Sequence, residues 1–110
     1  MRIVFPTKEN MSYISHAASL QEADYLTVLR VRGQNITGVE TIKNHSYTSN
    51  DELVKEFKAN QFGVVVTPDA NSLPVHKLKS AGISVYEDEP SQLVLEAFSE
   101  FVQDKLIRIY

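Results

Sequence analysis

Apolar residues in this chain gather into short runs, each with a period that points to one kind of element. Arg2 to Phe5 is a brief apolar run closed by Pro6-Thr7, as a short buried strand would be. Tyr25 to Val31 is rich in β-branched and aromatic residues, and Ile36 to Ile42 alternates imperfectly. With Gly33-Gln34-Asn35 between them, these runs predict an antiparallel hairpin near a sheet edge. Ser49 and Glu52 have capping-box spacing ahead of the Leu53, Val54 and Phe57 stripe, which predicts a helix stopping at Asn60.

The run Gly63 to Tyr86 carries the most information. Val64-Val65-Val66 and Ile83-Ser84-Val85-Tyr86 bracket a helical pattern ending at Ala81-Gly82, which predicts a β–loop–α–β unit. Leu78 and Ala81 should face the sheet, Asn71 or Ser72 should cap the helix, and Gly82 fits the left-handed position after its last turn. Such units set their loop, here Thr67 to Ser72, at the carboxyl edge of a parallel sheet, where ligands tend to bind. A last helix should start at Glu89-Pro90-Ser91, because Leu93, Val94, Ala97, Phe98, Phe101 and Val102 recur at helical spacing. Leu106 to Tyr110 alternates, as an edge strand or a packed tail would. The order predicts one α/β domain over residues 1–110, a mixed sheet of about five strands with helices on both faces.

Composition narrows the chemistry. The 110 residues are 43% hydrophobic and 23% charged, which is ordinary for a globular domain. A net charge of -3 with dispersed lysines and arginines argues against nucleic-acid binding. Without cysteine the chain forms no disulfide, zinc finger or thiol nucleophile. No apolar run approaches the roughly 20 residues that span a membrane, and no signal peptide is evident. A cytoplasmic protein without membrane contact is expected.

The residues resemble a known family. Met1-Arg2-Ile3-Val4-Phe5-Pro6-Thr7 looks like its "M-[KR]-I-A-[IV]-P-[TS]" opening, and Ile14-Ser15-His16 its loop histidine after serine. Val64 to Tyr86, above all Leu78-Lys79-Ser80-Ala81-Gly82-Ile83-Ser84-Val85-Tyr86, matches its ungapped second half. The family is the dinitrogenase iron–molybdenum cofactor biosynthesis family, that is, NifX-like proteins and the C-terminal domain of NifB, and the likeness spans the whole chain. It implies a ribonuclease H-like α/β/α fold whose five-stranded mixed sheet has an antiparallel second strand. It also implies a role in binding or carrying iron–sulfur or iron–molybdenum cofactor precursors, with His16 as the metal ligand. Ala17-Ala18 stands where the family has Phe-Gly, and Thr67 to Ser72 lacks the glycines that its second loop usually holds.

His16, with Ser15, Ser12 and Tyr13 nearby, forms one wall of the expected pocket, and Thr67, Asp69 and Asn71 form the other. One histidine does not make a metal site, so it would anchor a cofactor that brings its own ligands. Each group also has a plainer role: His16 as an exposed loop histidine, and Asp69, Asn71 and Ser72 as caps. His45 and His76 read as solvated, and Glu87-Asp88-Glu89 as favourable charge before a helix N-terminus. The first strand lacks carboxylates, and no catalytic triad or phosphate loop is present, so an enzyme is not expected. The expectation is a non-catalytic binding module serving a metallocluster or cluster-assembly proteins. The alternative is a cofactor-free interaction or regulatory domain, with a homodimer as the candidate assembly.

Overall fold

Six strands form one mixed sheet in the computed structural model, which describes residues 1–109. In chain order the elements are β1 (Arg2–Thr7), β2 (Tyr25–Arg32), β3 (Asn35–Lys43), α1 (Asn50–Ala59), β4 (Phe62–Val66), α2 (Val75–Ser80), β5 (Ser84–Glu87), α3 (Val94–Val102) and β6 (Ile107–Arg108). The sheet order is β3-β2-β1-β4-β5-β6, with β1–β4 and β4–β5 parallel and the other neighbours antiparallel.

The central strands are apolar on both sides because both faces are covered. Val4, Val28, Val65 and Val85 face Leu53 and Phe57 of α1 and Leu78 of α2. Their neighbours Ile3, Phe5, Leu29, Val64 and Val66 face Val94, Ala97 and Phe98 of α3. Helices therefore sit on both faces, as the sequence predicts. Edge-to-face aromatic pairs, Phe57–Phe62 with centroids 5.2 Å apart and Tyr86–Phe101 at 5.0 Å, fill one spot in each layer.

Local signals hold in several places. Gly33 takes φ +64° at the first of two linking residues in the β2–β3 hairpin, and Gly82 takes φ +83° after α2. Ser49 caps α1 by accepting from the Glu52 N–H at 3.1 Å, while the Glu52 carboxylate reaches back to Thr48 instead of Ser49.

Three expectations need correction. The sheet has six strands, not five, because the tail pairs with β5 (Ile107 with Glu87, Arg108 with Tyr86) and the Ile109 N–H donates to the Val85 carbonyl at 2.8 Å. Tyr110, the end of that expected tail, lies outside the described residues. Asn71 and Ser72 do not cap α2. They belong to a single 3-10 turn, Ala70–Ser72, and the Ser72 hydroxyl donates back to Asp69. Leu73 is then extended, as a residue before proline tends to be, and α2 starts only after Pro74. Similarly, α3 starts at Val94 and not at Glu89-Pro90-Ser91, because the preceding segment pairs with the β1–β2 loop. Ala17 N–H donates to Gln92 O at 2.8 Å, Ser91 N–H to Ala17 O at 3.0 Å and Val94 N–H to Ser15 O at 3.0 Å. Glu96 then closes the helix start by accepting from the Leu93 N–H at 3.1 Å.

Candidate functional site

Strands β1, β3, β4 and β5 all run the same way, so the loops that follow them meet at one carboxyl edge. Ligands favour this edge of an α/β sheet. Here it divides into two neighbourhoods, one against the start of α3 and one beside α1 and α2.

His16 belongs to the first. Its backbone forms an antiparallel bridge with Leu93, just ahead of α3, and its side chain is 47% exposed. Glu9 grips it twice: one carboxylate oxygen accepts the His16 backbone N–H at 2.9 Å and the other faces Nδ1 at 2.7 Å. Partial burial works against the ionised form of Glu9, yet these hydrogen bonds and the imidazole charge outweigh it, and its pKa lies below the ordinary value. An ionised carboxylate can only accept, so Nδ1 carries the proton toward Glu9. Nε2 has no hydrogen bond among the described residues. This is the carboxylate–histidine arrangement that fixes the tautomer and the ring of metal-binding histidines.

Ser15 stands beside His16 in sequence but not in role. It is fully buried, its hydroxyl donating to the Glu9 carbonyl at 2.9 Å and accepting from the Met11 N–H at 2.7 Å. It shapes the loop that holds Glu9.

The second neighbourhood is a cleft of about 800 Å³, lined by parts of residues 20–25, 43–50 and 69–74, with Leu20, Leu53 and Leu73 as its apolar surface. Asp69 borders it, and His16 is not among its lining residues. Of the opposite wall expected of Thr67, Asp69 and Asn71, only Asp69 lines this cleft. Thr67 is buried and donates to the Asp69 carboxylate. Asp69 also accepts from the Leu20 N–H at 3.2 Å and from the Ser72 hydroxyl at 3.1 Å, tying the β4–α2 loop to the β1–β2 loop. Asn71 is exposed.

Asp88, just after β5, is the most perturbed group at this edge. It is 5% exposed, and neither carboxylate oxygen has a hydrogen-bond partner among the described residues. Burial first, then the charges of Asp69, Glu89 and Glu100, push its pKa up to about 7. The favourable helix-end role expected of it does not arise, because α3 starts six residues later. His45 is exposed but paired, with Nε2 3.1 Å from Glu56, and His76 is exposed on α2. Sequence reasoning missed Glu9 and the His45–Glu56 contact, since each pair joins through a loop whose path no local spacing specifies.

No family model matches the chain, and no curated protein matches it. Solved structures do. A NifB-like protein from Thermotoga, of the DUF35 family, superposes with TM-score 0.77 at 19% identity, over 98% of this chain and 92% of that one. The apo form of the orange protein from Desulfovibrio gigas gives 0.74 at 18%, over 97% and 91%. A dinitrogenase-like protein from Methanocaldococcus jannaschii gives 0.66 at 18%, over 99% and 94%. The fold is therefore that of these NifB- and dinitrogenase-related structures, over at least 91% of each chain in every comparison.

Proposed function

We propose that this chain is a non-catalytic carrier or accessory protein for an iron–sulfur or iron–molybdenum cluster precursor, with His16 as the anchoring ligand. The observation that carries this reading is the Glu9 clamp: it holds the His16 backbone and Nδ1 and leaves Nε2 with no hydrogen bond among the described residues, on a side chain that is 47% exposed. A backed, oriented imidazole suits single-point attachment of a metal. Having no cysteine, the chain offers the cargo few other strong donors, so the cluster keeps ligands of its own and transfers readily. Ser15, Thr67 and Asp69 serve as support, holding the loops around the anchor. The likeness to NifB- and dinitrogenase-related structures favours the same class of cargo. In this reading the sheet is ribonuclease H-like with β6 added at one edge, the setting is cytoplasmic, and the partners are cluster-assembly proteins.

The test is retention of a preformed, thiolate-ligated [4Fe–4S] cluster added anaerobically and followed by visible absorption through gel filtration. Wild type should retain the band and His16→Ala should lose it. Glu9→Gln should weaken retention by roughly tenfold, as loss of such a carboxylate partner does at other metal sites. No retention by wild type, or equal retention by His16→Ala, would overturn the proposal.

A further inference from the structure

We propose that His45, Glu52 and Glu56 form a second metal site, independent of His16, that takes one borderline divalent cation of the Zn²⁺ or Co²⁺ type. The site lies where the β3–α1 loop meets the first turns of α1. Glu52 and Glu56 are four residues apart on one face of that helix, and the loop brings His45 against them. One ligand atom from each of the three lies within 4.8 Å of the other two.

The loop is pinned before it reaches His45. The Asn44 side-chain amide donates to the carbonyls of Leu20 and Ala23, both at 2.9 Å. The Tyr47 ring then packs on the imidazole with centroids 4.7 Å apart. The histidine is thus positioned by groups that a cation would leave undisturbed.

The hydrogen bonding itself calls for a cation. Nδ1 of His45 faces the Ser46 carbonyl at 2.9 Å, and Nε2 faces a Glu56 oxygen at 3.1 Å. Both partners are acceptors. A neutral imidazole has one N–H, so one contact would set lone pair against lone pair unless a proton or a metal lies between. Nδ1–H toward Ser46 leaves Nε2 and Glu56 as the two donors to a metal. Zinc holds nitrogen and oxygen ligands at roughly 2.0–2.1 Å, which sets them a little over 3 Å apart at near-tetrahedral angles. The observed separation needs little adjustment.

The second Glu56 oxygen is enclosed and has no hydrogen-bond partner among the described residues. Glu52 and Glu56, as like charges at i and i+4, repel each other in the absence of a cation. A cation relieves both defects. One imidazole and two carboxylates make a mixed set suited to a borderline divalent ion, and three protein ligands leave a position open to water or a small ligand from the adjoining cleft. Protonated His45 paired with Glu56 is the competing state.

The experiment is titration of the metal-free chain with Co²⁺ at neutral pH, followed by its visible bands and by displacement with Zn²⁺. Wild type should bind one Co²⁺ that Zn²⁺ displaces. His45→Ala and Glu56→Gln, each checked for folding by circular dichroism, should weaken binding by about tenfold or more. His16→Ala should bind as wild type does, which separates this site from the proposed cluster anchor. Absence of saturable binding up to millimolar Co²⁺, binding untouched by both substitutions, or loss of binding in His16→Ala would each overturn the proposal.

Discussion

The two neighbourhoods of the carboxyl edge use similar residues in opposite ways. Around the cleft, Thr67, Asp69 and Ser72 bond mainly to one another and to the Leu20 N–H, fastening one loop to the next. Against α3, Glu9 holds His16 by its backbone and one ring nitrogen and leaves the other nitrogen without a hydrogen bond among the described residues. The contrast separates polar groups engaged by the fold from polar groups held ready by it. By that measure Asp69 is engaged by the fold although it borders the cleft, and His16 is the proposed anchor although it is not among the residues that line it.

The largest expected effect concerns Asp88, which belongs to neither class, being buried with no hydrogen-bond partner for its carboxylate among the described residues. An unfolded aspartate ionises near 3.8, whereas folded Asp88 holds its proton to about pH 7. Below the lower value both states are protonated and Asp88 contributes nothing. Between the two, only the unfolded chain gives up the proton, so stability falls as pH rises and stays lower above pH 7. The total is on the order of 4 kcal/mol. Urea unfolding from pH 4 to 8 should show the decline in wild type and a much flatter profile in Asp88→Asn. Parallel profiles for the two proteins would mean that Asp88 is paired or hydrated.

Asp69→Ala should come next. It removes a charged acceptor from three donors at once, for a loss of about 3 kcal/mol by denaturant unfolding. Ser49→Ala removes the α1 cap and should cost about 1 kcal/mol, readable as a lower unfolding midpoint. It should also weaken Co²⁺ binding, since Glu52 and Glu56 stand on the frayed turns. His16→Ala should change stability by less than about 0.5 kcal/mol, as expected at an exposed side chain. An Asp69→Ala effect as small as that of His16→Ala would dissolve the contrast between the two regions.

Much of this architecture is legible in the chain. Ile3-Val4-Phe5 and Val64-Val65-Val66 read as buried strands because both faces of the sheet are covered. Gly33 and Gly82 mark the positive-φ positions they occupy, and Ser49 marks a helix start. What escaped was non-local. Ile107–Arg108 is too short for periodicity to separate a strand from a tail. The starts of α2 and α3 moved because Ser72 turns back to Asp69 and residues 91–94 pair with residues 15–17. His16 could be singled out as a candidate through the family resemblance, but its partner Glu9 could not. The roles of Ser15 and Thr67 depend on burial, which their spacing does not show.

The most direct measurement of the central claim is cluster retention by wild type, His16→Ala, Glu9→Gln and Asp69→Asn, side by side. The account predicts that His16→Ala loses the cluster while keeping its stability, that Glu9→Gln retains it weakly, and that any folded Asp69→Asn retains it fully. Full retention by His16→Ala, or loss confined to folded Asp69→Asn, would place the ligand in the cleft and contradict the account.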